Sequence, residues 1–110
     1  MKFYLNKNFQ LDKETKIRIL AIGEGSRGDM ADYGWIKDVD KNRVVWEMTY
    51  RTSDNAGGAD KNRMFNDTIT LPKGNYRVYY ETDGSHSYRD WNDSPPYDQE
   101  KYGITIYREK

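Results

Sequence analysis

The residues best equipped for chemistry lie in one stretch, Thr82-Asp83-Gly84-Ser85-His86-Ser87-Tyr88-Arg89-Asp90-Trp91-Asn92-Asp93-Ser94-Pro95-Pro96. Ca²⁺ takes six to eight oxygens from carboxylates, amides and backbone carbonyls, and Asp/Asn/Gly-rich loops supply them. Asp83, Asp90 and Asp93 are the candidate metal ligands, with Asn92 beside them and Glu24, Asp29 and Asp32 available from an earlier segment. Their spacing differs from the EF-hand's, whose ligands alternate ahead of a fixed Gly and a distal Glu. The same residues also suit Asx-turns that cap the loop's own backbone. His86 is the sole histidine and stands between two serines. A hydrolase would use it as a base oriented by Asp90 or Asp83, with a hydroxyl in reach and an oxyanion hole. Side chains of neighbouring residues on an extended segment point opposite ways, so Ser85 and Ser87 are poor partners. No Gly-x-Ser-x-Gly elbow is present.

Trp91, Tyr88, Tyr97 and Trp35 form a second constellation. An aromatic face beside Asp, Asn and Arg suits a sugar, whose C–H face stacks while its hydroxyls bond, as ligand sites generally combine apolar surface with a few polar groups. Trp91 followed by Asn92, Asp93, Ser94, Pro95 and Pro96 also reads as an aromatic plug that anchors its own loop. Trp35 and Trp46 sit inside strand-like runs and are assigned to the core.

Asn55-Ala56-Gly57-Gly58-Ala59-Asp60-Lys61-Asn62-Arg63 is the second loop of interest. Gly57 and Gly58 permit positive φ and close backbone approach. Lys61 and Arg63 could meet an anion, but the Gly-Lys-Ser/Thr end of a P-loop is missing. A tight bend is expected instead, with Asn62 or Arg63 pairing carboxylates of the 83–100 segment. Arg27-Gly28-Asp29 matches the tripeptide that integrins read, a match too short to carry weight alone.

Composition narrows the classes. The chain has 110 residues, enough for one domain, 1–110. It carries 18 Lys+Arg against 18 Asp+Glu, so there is no basic excess for nucleic acid. No apolar run approaches the roughly 18 residues of a membrane span. Without Cys there is no disulfide frame, thiolate nucleophile or Cys-based zinc site. Ten Tyr and three Trp argue for an ordered core rather than a disordered chain. Met1–Asn6 lacks the apolar segment and cleavage site of a signal peptide, and the chain reads equally as a whole protein or as one module of a multidomain one.

The dominant period is two. Val44, Trp46, Met48 and Tyr50 fall on one face of an extended run, and Tyr76, Val78 and Tyr80 alternate with Arg77, Tyr79 and Glu81. Ile17, Ile19 and Ala21, then Ile104 and Ile106, repeat the pattern, and Ile69 and Leu71 flank Thr70. Strands are also expected at Lys2–Leu5 and Tyr33–Val39, and a turn of helix only near Pro96–Lys101. The charged positions Lys16, Arg18, Arg43, Glu47, Arg51, Arg77 and Glu81 read as a solvated outer face, discouraging edge aggregation. Asp40-Lys41-Asn42 and Pro72–Asn75 read as tight turns. With strands alternating in direction, those two turns share one end. The long connections 23–32, 52–66 and 83–100 then gather at the other, where binding residues usually collect.

Leu71-Pro72-Lys73-Gly74-Asn75-Tyr76-Arg77-Val78-Tyr79-Tyr80 resembles a turn-and-strand signature of bacterial accessory β-sandwiches. These are the pre-peptidase C-terminal modules and other jelly-roll attachments of secreted enzymes, where a Leu-Pro-x-Gly turn precedes a Tyr-led core strand. The resemblance covers that strand and the strand count, so no family site residue is carried over. The expected architecture is a single antiparallel β-sandwich, jelly-roll or Greek-key, of about seven to eight strands. The expected role is a non-catalytic module binding a protein or glycan through its long-loop end. Asp83, His86, Arg89, Asp90, Trp91 and Asn92 would form the surface beside Gly57, Gly58, Asn62 and Arg63, with Ca²⁺ ordering the loops. The alternatives are a structural domain whose loops pack on themselves and the hydrolase built on His86.

Overall fold

The computed structural model describes residues 3–26, 28–58, 61–82 and 103–108, with residues 3–5 as backbone alone. Every regular element is a strand: β1 (Phe3–Leu11), β2 (Thr15–Ser26), β3 (Asp29–Asp38), β4 (Arg43–Glu47), β5 (Asp54–Asn55), β6 (Asn62–Leu71), β7 (Gly74–Thr82) and β8 (Gly103–Arg108). All pairings are antiparallel. The path of neighbours runs β1-β7-β3-β2-β6-β5, with β4 on β3 and β8 on β2. The chain is therefore all-β, as its period-two patterning requires. The Pro96–Lys101 helix expectation falls outside the described residues.

β3 belongs to two sets of ladders. Residues 29–32 pair with β2, whereas Tyr33–Asp38 pair with β7 and Trp35–Asp38 also with β4. One core is common to both sets. It comprises Leu11, Ile17, Ile19, Ala21, Ile36, Met48, Leu71 and Tyr76, with Trp46, Phe65, Val78, Ile104 and Ile106 among the residues packed against it. Each fully buried Ile or Leu contributes roughly 1.5–3 kcal/mol, which is why the strands keep these rows inward.

The two tight turns meet as expected. Asn42 adopts φ 53, and the Lys41 amide donates to Asp38 Oδ1 at 3.0 Å. Asn75 donates from its amide and from Nδ2 to the Asp40 carboxylate at 3.1–3.3 Å, while the Val39 amide donates to the Asn75 carbonyl at 2.9 Å. Tyr76 donates from its hydroxyl to the Pro72 carbonyl at 2.6 Å, closing the β6–β7 turn with its own strand.

Several expectations need correction. Residues 23–32 do not form a long loop: Glu24–Ser26 belong to β2 and pair with Asp29–Asp32 of β3, Glu24 opposite Asp32 with a register shift following. Glycine there is a close-packing requirement rather than a loop signal, since a Cβ on Gly23 would stand 2.0 Å from the Asp32 carbonyl oxygen. Asn62–Asn66 likewise belong to β6, paired along β2 from Glu24 to Leu20. Between Ile36 and Lys37 the β3–β4 register shifts, so Lys37 faces Val44 and Ile36 faces Trp46. Val45 is the extra residue; it packs on the core while Val44 is 53% exposed. Glu81, read as solvated, is only 8% exposed.

Candidate functional site

A further correction concerns Trp35. Along β3 the residues Asp32, Gly34, Ile36 and Asp38 are buried, and Tyr33, Trp35 and Lys37 between them are half-buried. Strand geometry sends alternate side chains to opposite faces, so Trp35 lies on the face away from Ile36. There it stacks on Tyr79, its direct partner in β7, with ring centroids 5.0 Å apart and planes 9° apart. Tyr33 adds a third ring, 5.4 Å from Trp35 and tilted 36°. The three form a ridge across two neighbouring strands.

Polar groups frame the ridge at the spacing of the sheet. Glu47 on β4 is the register partner of Trp35, and Asn6 on β1 is the partner of Tyr79. Both are exposed. One step along, Lys37 pairs with Arg77, and Arg77 donates from Nε to Asn8 Oδ1 at 2.8 Å. Opposed cations in a sheet are unfavourable in general, and the guanidinium of Arg77 is engaged by Asn8 on the neighbouring β1. At the other end Tyr33 pairs with Glu81. Burial, then the negative charges of Glu81 and Glu47, hold the Tyr33 hydroxyl above the ordinary tyrosine range. Along this row the buried Glu81 lies opposite Tyr33, the exposed Glu47 opposite Trp35, and Arg77 opposite Lys37.

The loop residues singled out from sequence have a different occupation. Gly57 and Gly58 take φ 91 and 73, as a tight bend requires. Asn62 is fully buried and donates from Nδ2 to the Gly57 carbonyl at 2.9 Å, while Ala56 donates its amide to the Asn62 carbonyl at 2.9 Å. Arg63 clamps the segment before the bend. Its Nε donates to Ser53 Oγ at 3.1 Å, and its Nη2 to the carbonyls of Tyr50, at 3.2 Å, and Ser53. The guanidinium also lies 4.1 Å from the centre of the Tyr50 ring. This bend is tied to the β2–β3 hairpin: Gly25 donates its amide to the Lys61 carbonyl at 2.8 Å, and Lys61 Nζ lies 3.6 Å from Glu24 Oε1. Two of the three expected connections therefore do meet at one end.

Asp83, His86, Arg89, Asp90, Trp91, Asn92 and Asp93 lie outside the described residues, and so does the calcium expectation placed on them. Among the described residues, no group of three or more His, Asp or Glu side chains is placed to hold a metal ion.

The ridge was half legible. Arg77, Tyr79 and Glu81 already stood opposite the core row in the sequence. Trp35 is assigned to the core from its place inside a strand-like run, although Lys37, two residues on, marks its row as the solvated one. Comparison with protein-family models, curated proteins and solved structures finds no match.

Proposed function

We propose that the chain is a non-catalytic β-sandwich binding module for a carboxylate-bearing polysaccharide, held on the outer face of β3 and β7. The observation that carries this reading is the Trp35–Tyr79 stack with the Lys37–Arg77 pair one step along the same face. A pyranose ring offers C–H groups to an aromatic surface and hydroxyls to neighbouring polar side chains, the combination general to ligand sites. Glu47 and Asn6 supply an acceptor and a donor on either side of the stack. A uronate carboxylate then meets Lys37 and Arg77 in charge-assisted hydrogen bonds. Arg77 is steadied for this by Asn8.

For the second loop, the structural alternative is the better one. The guanidinium of Arg63 is engaged by Ser53 and the Tyr50 carbonyl and ring, so its role there is to hold the bend.

The test is an NMR titration of the full chain with polygalacturonate and, separately, with neutral dextran. The reading expects amide and indole shifts at Trp35, Lys37, Arg77 and Tyr79 with the uronate polymer, and at least about tenfold weaker binding to dextran. Trp35→Ala should abolish the shifts at Lys37 and Arg77 while the core amides keep their positions. Equal binding of both polymers would remove the charge argument. Absence of shifts on this face with either polymer would remove the glycan.

A further inference from the structure

The pairings of β1, β7, β3 and β4 set the outer face out in rows that run across the strands. Asn6, Tyr79, Trp35 and Glu47 are partners in succession and make one row. Asn8, Arg77, Lys37 and Val44 make the next, two residues along β1, β7 and β3. Neighbouring strands lie about 4.8 Å apart, so each row spans about 14 Å, and the two rows stand about 7 Å apart. The second row holds its charges apart. Arg77 reaches from β7 to β1, where its Nε donates to Asn8 Oδ1 at 2.8 Å, whereas Lys37 belongs to β3. The two cations are therefore spread over as much as two strand spacings, about 10 Å. The bond to Asn8 uses Nε, and a guanidinium carries its other N–H donors on the two Nη atoms. Along the strands the open face ends at Tyr33, because its partner Glu81, on the same side of the sheet, is buried.

We propose that a uronate chain crosses this face from β1 to β4, perpendicular to the strands, and that the site reads a run of about three sugar units, roughly one for each strand spacing. This rests on the uronate-binding role of the same face. A chain in that direction keeps its rings over Tyr79 and Trp35 and passes Arg77 and Lys37 on one flank. Carboxylates of two different units then meet the two cations in charge-assisted bonds. A chain laid along β3 crosses the cation row once and brings a single unit to it, and its other end runs onto the buried Glu81. Asn6 and Glu47, both exposed, meet hydroxyls at the two ends of the crossing. Once one carboxylate is held, the second contact is intramolecular, so affinity rises with oligomer length until both cations are engaged.

The experiment uses the isotope-labelled full chain and galacturonate oligomers of increasing length, then the trimer carrying a nitroxide at its reducing end. Affinity by NMR titration should rise at least about tenfold from one unit to three and level off beyond. The nitroxide should broaden amides near Asn6 and near Glu47 unequally, with Tyr33 and Lys37 affected alike. Lys37→Ala should flatten the dependence on length while the Trp35 indole still shifts. Unequal broadening of Tyr33 and Lys37, with Asn6 and Glu47 alike, would overturn the crossing direction and leave the uronate reading standing. A length dependence unmoved by Lys37→Ala would overturn the two-carboxylate engagement. Binding of no oligomer would overturn the uronate reading itself, and the proposal with it.

Discussion

Trp35 and Tyr79 stand directly opposite each other on β3 and β7, their rings stacked with planes 9° apart. The pair lies away from the core row, so its contribution to stability is separable from the packing of Ile36 and Val78. A double-mutant cycle with Trp35→Ala and Tyr79→Ala should return a coupling of about 0.5–1.5 kcal/mol. Urea unfolding of the four proteins measures it. A coupling near zero would mean the rings are merely adjacent.

Arg63 should matter for the fold more than for any ligand. Arg63→Ala removes a charged donor shared by Ser53 and the Tyr50 carbonyl together with the ring contact. The expected loss is about 1.5–3 kcal/mol by urea unfolding. Arg63→Lys should recover little of it, because an ammonium reproduces neither the fork of donors nor the planar stacking.

Gly23 and Gly28 should respond to alanine for different reasons. At Gly23 the new Cβ meets the Asp32 carbonyl oxygen at 2.0 Å, so β2 and β3 must separate. Overpacking of this kind costs about 1–3 kcal/mol or more. At Gly28 nothing lies within 4 Å, and the penalty comes only from φ +87, about 1–2 kcal/mol. Thermal melts should place Gly23→Ala below Gly28→Ala, and the Gly23 variant alone should shift amides of Asp32.

Tyr33 makes stability depend on alkaline pH. Burial and the charges of Glu81 and Glu47 raise its hydroxyl above its unfolded value, which is about 10. As pH rises past that value the unfolded chain releases its proton first, so the folded state holds more protons and stability falls. The contribution is complete below about pH 10 and is lost as pH climbs through the folded-state value. Tyr76, raised by burial and then by Asp38, acts in the same direction. Tyr33→Phe should flatten the decline of the urea midpoint above about pH 10, and an unchanged slope would remove Tyr33 from it.

Much of this molecule could be read from residue spacing, because period two is set by strand geometry alone. Ile17, Ile19 and Ala21, and Tyr76, Val78 and Tyr80, declare their faces without reference to any other strand. The turns at Asn42 and Pro72 declare themselves through backbone chemistry. What failed depended on partners. The 23–32 segment looks like a loop until its second strand is in place, since glycine at Gly23 serves close approach to Asp32. Val45 takes the core contact expected of Val44 because of a register shift that only the β3–β4 pairing reveals. The side of the sheet on which Trp35 lies was available from Lys37, two residues on in the same row, whereas its place inside a strand does not by itself choose a face.

The double membership of β3 governs how this chain can come apart. Its first residues are bonded to β2, and its later ones to β7 and β4. Neither group of strands can open without breaking hydrogen bonds of the strand that anchors the other. Opening of β2 and β7 is therefore coupled, and their slowest-exchanging amides should report one common free energy equal to global unfolding. β5, held to β6 by Asp54 and Asn55, sits outside that linkage and should exchange first.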